Sequence, residues 1–207
     1  MLISEKDSGI KLPVIEKFYS IQGEGFHTGK AAYFIRIAGC DIGCNWCDTK
    51  FSWNNQSEWL VSVNEIVENA AKFPAKAVVI TGGEPLSYNL DDLCENLKNN
   101  GISTFLETSG VYPLSGKWDW ICLSPKKQNP PLSEIYNKAD ELKVIIQSSN
   151  DFLWAEENAL LVKPESKLFL QPEWSRFSKI IDKVVEYVKA NPKWNISIQA
   201  HKFMRIP

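Results

Sequence analysis

With 207 residues, 44% of them hydrophobic and 23% charged, and a formal net charge of −2, the chain has the size and balance of one globular domain with a sizeable core. A near-neutral chain without a basic run is not built to grip nucleic acid, and the N-terminus, Met1 to Asp7, has no apolar stretch long enough for a secretory signal or a membrane span. Five cysteines, three of them clustered, fit a reducing cytoplasm better than a disulfide framework.

In chain order, Val14 to Ser20 carries β-branched and aromatic residues suited to a strand, which runs into the turn Gln22-Gly23-Glu24-Gly25. That turn reads either as a plain hairpin or as a ligand loop. Glycines let a backbone approach a ligand, and Glu24 can accept from an N–H-rich heterocyclic edge. Ala32 to Ala38 reads as a buried strand interrupted by Arg36. A buried arginine needs an anion, either an internal carboxylate or that of a substrate. Directly after this strand come Cys40, Cys44 and Cys47, a C-x3-C-x2-C triplet. Thiolates prefer zinc or iron–sulfur clusters. A structural zinc site wants four ligands, here with a distant one such as His27, Cys94, Cys122 or His201. Three thiolates on a [4Fe–4S] cluster instead leave one iron open to a small molecule.

Further on, apolar spacing predicts helices over Val63–Lys72, Leu90–Asn99 and Phe177–Lys189. Short apolar runs predict strands over Ala77–Ile80, Ser103–Leu106, Trp120–Leu123, Glu141–Ile146, Lys167–Leu170 and Asn195–Ile198. Cys94 and Cys122 lie in apolar surroundings and read as core. Strands alternating with helices or loops imply parallel strands with crossovers, and apolar strand bodies imply cover on both faces. The polar residues Thr81, Glu107, Ser124, Gln147, Gln171 and Gln199 each follow a strand directly. The cysteine loop falls at that same end, which is the reactive end of β/α barrels. The chain is too short for eight β/α units. The expected fold is therefore α/β, a partial, open β/α barrel in one domain over 1–207.

The aromatic residue before the last cysteine, in Cys44-Asn45-Trp46-Cys47, and the downstream Thr81-Gly82-Gly83-Glu84-Pro85 together resemble the radical S-adenosylmethionine (SAM) superfamily. A narrower resemblance covers most of the chain. It rests on Phe18 to Gly25, Phe34 to Cys40, Cys47-Asp48-Thr49, Glu107-Thr108-Ser109-Gly110, Leu123-Ser124-Pro125-Lys126, Gln171-Pro172-Glu173 and the segment from Gln199 to Pro207. These are similar to the 7-carboxy-7-deazaguanine synthase family of 7-deazapurine (queuosine) biosynthesis.

That resemblance implies a [4Fe–4S] cluster on Cys40, Cys44 and Cys47, with SAM on the open iron. It implies a 5′-deoxyadenosyl radical that takes a hydrogen from 6-carboxy-5,6,7,8-tetrahydropterin, which then contracts, loses ammonia and becomes 7-carboxy-7-deazaguanine. A magnesium ion assists, with Thr49 at the family's metal position. Substrate contacts are expected from a loop over 18–30, with Ile21, Gln22, Gly23 and Glu24, from Arg36 and Thr81, and from a tail over 199–207, with His201 and Pro207. SAM contacts are expected from Gly83, Glu84, Thr108, Ser124, Lys126, Gln171 and Glu173. Trp46 either meets the adenine or simply packs, and Asp48 joins the magnesium site, contacts SAM or caps the cluster loop over 39–49. An electron donor such as flavodoxin or ferredoxin and a homodimer complete the expectation. A glycyl-radical activase and a zinc-stabilised binding module are the rival readings.

Overall fold

The computed structural model describes residues 9–207, so the expectation for Met1–Asp7 lies outside the described residues. Nine strands form one sheet: β1 (Lys11–Ile21), β2 (Ala31–Ile37), β3 (Leu60–Ser62), β4 (Ala77–Gly82), β5 (Ser103–Thr108), β6 (Trp120–Leu123), β7 (Glu141–Ile146), β8 (Lys167–Pro172) and β9 (Trp194–Ile196). Their order is β3-β1-β2-β4-β5-β6-β7-β8-β9, so β3 and β9 are separate edges and the barrel is open. From β2 to β9 every neighbouring pair is parallel. β1 departs from the expected alternation, being antiparallel to both β2 and β3. A parallel neighbour needs a crossover of a dozen or more residues, and the loop between β1 and β2 is too short for one.

The helices α1 (Val63–Ala71), α2 (Asp91–Asn99), α3 (Ser133–Tyr136), α4 (Asp151–Ala159) and α5 (Phe177–Ala190) join the strands, and α6 (Ala200–Met204) ends the chain. Ser62 caps α1 by accepting from the Glu65 amide at 3.2 Å. Among the described residues no helix is long and apolar enough to cross a membrane. Strand alternation divides the sheet's two faces. Ile35, Ile37, Ile80, Leu106, Leu142, Val144 and Leu170 join Ile66, Leu93, Leu97, Ile180 and Val184 of the helices in one core. On the inner face Phe34 and Val79, with Phe18 and Phe105 against them, form a small apolar floor. One pleat further along each strand stand Arg36, Thr81 and Glu107, all lining a cavity. Cys94 and Cys122 are buried as the sequence implies, and burial pushes the Cys94 thiol up to about 12.

The loop over 22–30 folds back across this inner face. The Phe26 amide donates to Glu141 Oε2 at 3.2 Å and the Gly25 amide to Ser197 Oγ at 2.9 Å. Gly25 adopts φ +63°, and a Cβ there would lie 1.9 Å from Glu141 Oε1. Only glycine combines that backbone with that approach.

Candidate active site

A cavity of about 570 Å³ opens at the C-terminal ends of the parallel strands. It gathers every residue to which the sequence assigned a cluster, SAM, magnesium or substrate contact. Cys40, Cys44, Trp46, Cys47, Asp48 and Thr49 come from the loop after β2, and Ile21, Gln22, Gly23 and Glu24 from the end of β1 and the loop that follows. Arg36, Thr81, Gly83, Glu84, Thr108, Ser124, Lys126, Gln171 and Glu173 come from strand ends, His201 and Pro207 from the C-terminal segment. Of the strand-end polar residues only Gln147 is missing. Its amide donates instead to Asp151 at the start of α4.

The cysteine loop is tied down by its backbone. Gly39 and Cys40 amides donate to Ser52 and Trp53 carbonyls at 2.7 and 3.1 Å, and the Cys47 amide to Cys44 at 3.0 Å. Burial pushes the Cys40 and Cys44 thiols up, so metal binding would have to release their protons. The Thr49 hydroxyl lies 3.6 Å from Cys47 Sγ. Among the described residues no three His, Cys, Asp or Glu side chains converge on a point that would hold a single metal ion. Nor does a fourth zinc ligand present itself. Cys94 and Cys122 are core, His27 stacks on Phe105 at 4.7 Å, and His201 packs against Gly23, where a Cβ would lie 2.2 Å from Nδ1. Cys40, Cys44 and Cys47 all line one roomy cavity, and three thiols are a donor set that suits a cluster of several irons.

The segment after β4 is locked to the cysteine loop: Gly83 and Glu84 amides donate to Ile37 and Gly39 carbonyls, each at 2.9 Å. The Glu84 carboxylate is 1% exposed and already full. Oε1 accepts from the Leu86 amide (3.1 Å) and the Thr108 hydroxyl (2.5 Å), and Oε2 from the Ser109 amide (2.8 Å) and hydroxyl (2.5 Å). Its carboxylate thus sets the ends of β4 and β5. Lys126 donates to the Ser124 carbonyl and hydroxyl at 2.6 and 2.8 Å and sits 5.3 Å above the Trp46 ring. Gln171 accepts from Ser197 Oγ at 2.7 Å, and the Glu173 carboxylate caps the following turn through Ser175.

Arg36 Nε donates to Glu16 Oε2 at 2.7 Å, so the arginine has an internal carboxylate while still lining the cavity. Asp48 caps nothing in its own loop. Its Oδ2 accepts from Lys202 at 2.8 Å and Gln199 at 3.0 Å, tying the cysteine loop to α6. The Ser20 hydroxyl donates to a Pro207 backbone oxygen at 3.0 Å, which anchors the C-terminal segment beside β1.

The sequence profile of the radical SAM superfamily matches residues 34–123, from β2 through β6. A 7-carboxy-7-deazaguanine synthase from Flavobacterium psychrophilum is 52% identical over 201 residues, covering 97% of this chain and 95% of that one. A Synechocystis protein of the same name is 45% identical, with 95% and 94% covered. This chain belongs to the 7-carboxy-7-deazaguanine synthase family. The crystal structure of QueE from Escherichia coli agrees in fold, with a TM-score of 0.84 and 28% identity over 96% of this chain and all of that one.

In this synthase-family cavity one charged residue escaped the sequence reading. Lys143, on the inner face of β7, donates to Glu24 at 2.6 Å and to Glu107 at 2.7 Å. A single lysine in the otherwise apolar stretch Leu142–Ile146 was the available signal. Burial alone would push the Glu24 carboxyl up, but the Lys143 ammonium and bonds from Lys143 and Gln199 outweigh it and hold Glu24 at about 2. Burial pulls His201 down, which keeps its ring neutral at pH 7.

Proposed function

We propose that this protein converts 6-carboxy-5,6,7,8-tetrahydropterin to 7-carboxy-7-deazaguanine with loss of ammonia. The observation that carries the reading is one cavity that gathers three thiols with the carboxylates of Glu24 and Glu107, in a chain of this family. Cys40, Cys44 and Cys47 would hold the [4Fe–4S] cluster, which with SAM supplies the hydrogen-abstracting chemistry.

The chain's own residues bind and orient. Glu24 remains ionised at any physiological pH and can accept from the guanine-like edge of the pterin, with Ile21, Gln22 and the Gly23 backbone beside it. Arg36 spends Nε on Glu16, and its remaining guanidinium donors suit the substrate carboxylate. Thr81, His201 and Pro207 complete the substrate wall. Lys126 suits the SAM carboxylate and Trp46 the adenine. Gly83 would meet the amino group through its backbone, Glu84 would act through the hydroxyls it orients, and Thr108, Ser124, Gln171 and Glu173 would add polar contacts. Asp48 would serve SAM by holding its own loop against α6. An electron donor such as flavodoxin or ferredoxin, and assembly as a homodimer in the cytoplasm, belong to the same reading. A glycyl-radical activase would leave the Glu24–Lys143–Glu107 group at the cavity wall without a purpose.

Magnesium prefers oxygen and keeps several waters, so one hydroxyl, Thr49, together with substrate oxygens would be enough. Equilibrium binding of the carboxypterin to cluster-loaded, SAM-bound enzyme tests this. Magnesium should tighten binding in the wild type by about tenfold, roughly 1.4 kcal/mol. Thr49→Val should lose that dependence while keeping the cluster absorbance. Absence of pterin binding, or identical magnesium titrations for the two proteins, contradicts the reading.

A further inference from the structure

Lys143 is buried in the middle of β7, its side chain 4% exposed, and hydrogen abstraction gives it no task. Its ammonium meets two carboxylates from different elements, Glu24 of the loop after β1 and Glu107 of β5. The second oxygen of each is held by an amide: Gln22 Nε2 reaches Glu107 Oε1 and Gln199 Nε2 reaches Glu24 Oε1, both at 3.0 Å. All of these side chains line the cavity.

A salt bridge made only for stability needs one carboxylate per ammonium. Here a second one leaves a net negative charge at the cavity wall, met from the protein by the Gln22 and Gln199 amides and open to further donors from a ligand. The two carboxylate oxygens share one nitrogen, so without Lys143 their like charges would repel across about 5 Å. Burial by itself would pull Lys143 down, but Glu107 and Glu24 raise it well above an ordinary lysine, so the ammonium persists between them.

The geometry points to Lys143 as a positioning residue: it holds Glu24 and Glu107 as a matched pair of carboxylate acceptors for the N–H donors of a guanine-like substrate edge. This rests on the proposed pterin substrate. The pair selects a ligand edge rich in donors and rejects one that presents acceptors, since those would face oxygen against oxygen.

The test is a double-mutant cycle read by steady-state kinetics on the reconstituted enzyme. Lys143→Met should raise KM for the carboxypterin by at least about tenfold with a much smaller change in kcat, the pattern of lost substrate binding. SAM affinity and cluster absorbance should stay as in the wild type. Glu107→Gln, which removes only a charge, should also raise KM and serves alone if Lys143→Met fails to fold. In Lys143→Met/Glu107→Gln the unbalanced repulsion is gone, so the combined loss should be smaller than the product of the single losses. Wild-type KM in both single variants, or single losses that simply multiply, would overturn the inference. A wild-type enzyme that leaves the carboxypterin unchanged would refute the substrate reading instead, so the two failures are distinguishable.

Discussion

Cys44→Ala should abolish both the visible absorption of a reconstituted [4Fe–4S] centre and all SAM cleavage. Cys44 lines the cavity between Cys40 and Cys47 on a loop whose backbone bonds to Ser52 and Trp53 fix its path, so no other thiol can take its place. A cluster left with two protein thiolates is poorly held. The control is built into the chain. Cys94 is buried in the core, and Cys122 is buried behind Glu24 and Glu107, outside the lining that the other three thiols share, so Cys94→Ala and Cys122→Ala should keep full iron content and lose only on the order of 1–2 kcal/mol of stability. Iron and sulfide analysis beside the visible spectrum decides it. A full cluster in Cys44→Ala, or a lost one in either control, would refute the three-ligand assignment.

Glu84→Gln should cost both stability and SAM binding, although the two side chains are nearly the same shape. Each Glu84 oxygen faces a main-chain N–H, Leu86 on one side and Ser109 on the other. The hydroxyls of Thr108 and Ser109 can turn to accept, but the amides cannot. Whichever way a glutamine sits, its NH₂ must oppose one of those N–H groups in a fully buried site. Leaving a buried donor unpaired costs about 1–3 kcal/mol, more where a charge-assisted bond is lost. At about 2–4 °C per kcal/mol for a chain of this size, melting should fall by roughly 2–12 °C. Because Glu84 joins the ends of β4 and β5 beside the cysteine loop, SAM affinity should fall by at least about tenfold, a shift of only ~1.4 kcal/mol. Calorimetry and SAM titration check both. A melting point within a degree of wild type with unaltered SAM affinity would contradict the account.

The strands and the cavity were legible because their signals are local. Apolar runs ending in Thr81, Glu107, Ser124 and Gln171 mark both the sheet and its reactive end, and the cysteine triplet sits within eight residues. What could not be read is set by distant partners. Lys143 meets Glu24 and Glu107 across 119 and 36 positions of chain, and no local pattern announces such a pair. Asp48 is claimed by Gln199 and Lys202, more than 150 positions on. Arg36 was open between an internal ion pair and a substrate clamp, and the pairing across β1 and β2 that supplies Glu16 depends on strand register. α4 was missed because Leu153 within it stays exposed while Asp151 and Asn158 are buried, which blurs the apolar stripe that marks a helix. The β9 boundary shifted from Asn195–Ile198 to Trp194–Ile196; the Ser197 amide still donates to Leu170 of β8 while its hydroxyl serves Gln171 and the Gly25 amide.

Turnover is the most direct test of the central claim. Anaerobically reconstituted and reduced enzyme should be mixed with SAM, magnesium and 6-carboxy-5,6,7,8-tetrahydropterin, and the small molecules followed by mass spectrometry with ammonia assayed in parallel. The account predicts 7-carboxy-7-deazaguanine and ammonia in equal amounts, formed only when cluster, SAM and pterin are all present. Cleavage of SAM with the pterin recovered unchanged would contradict it.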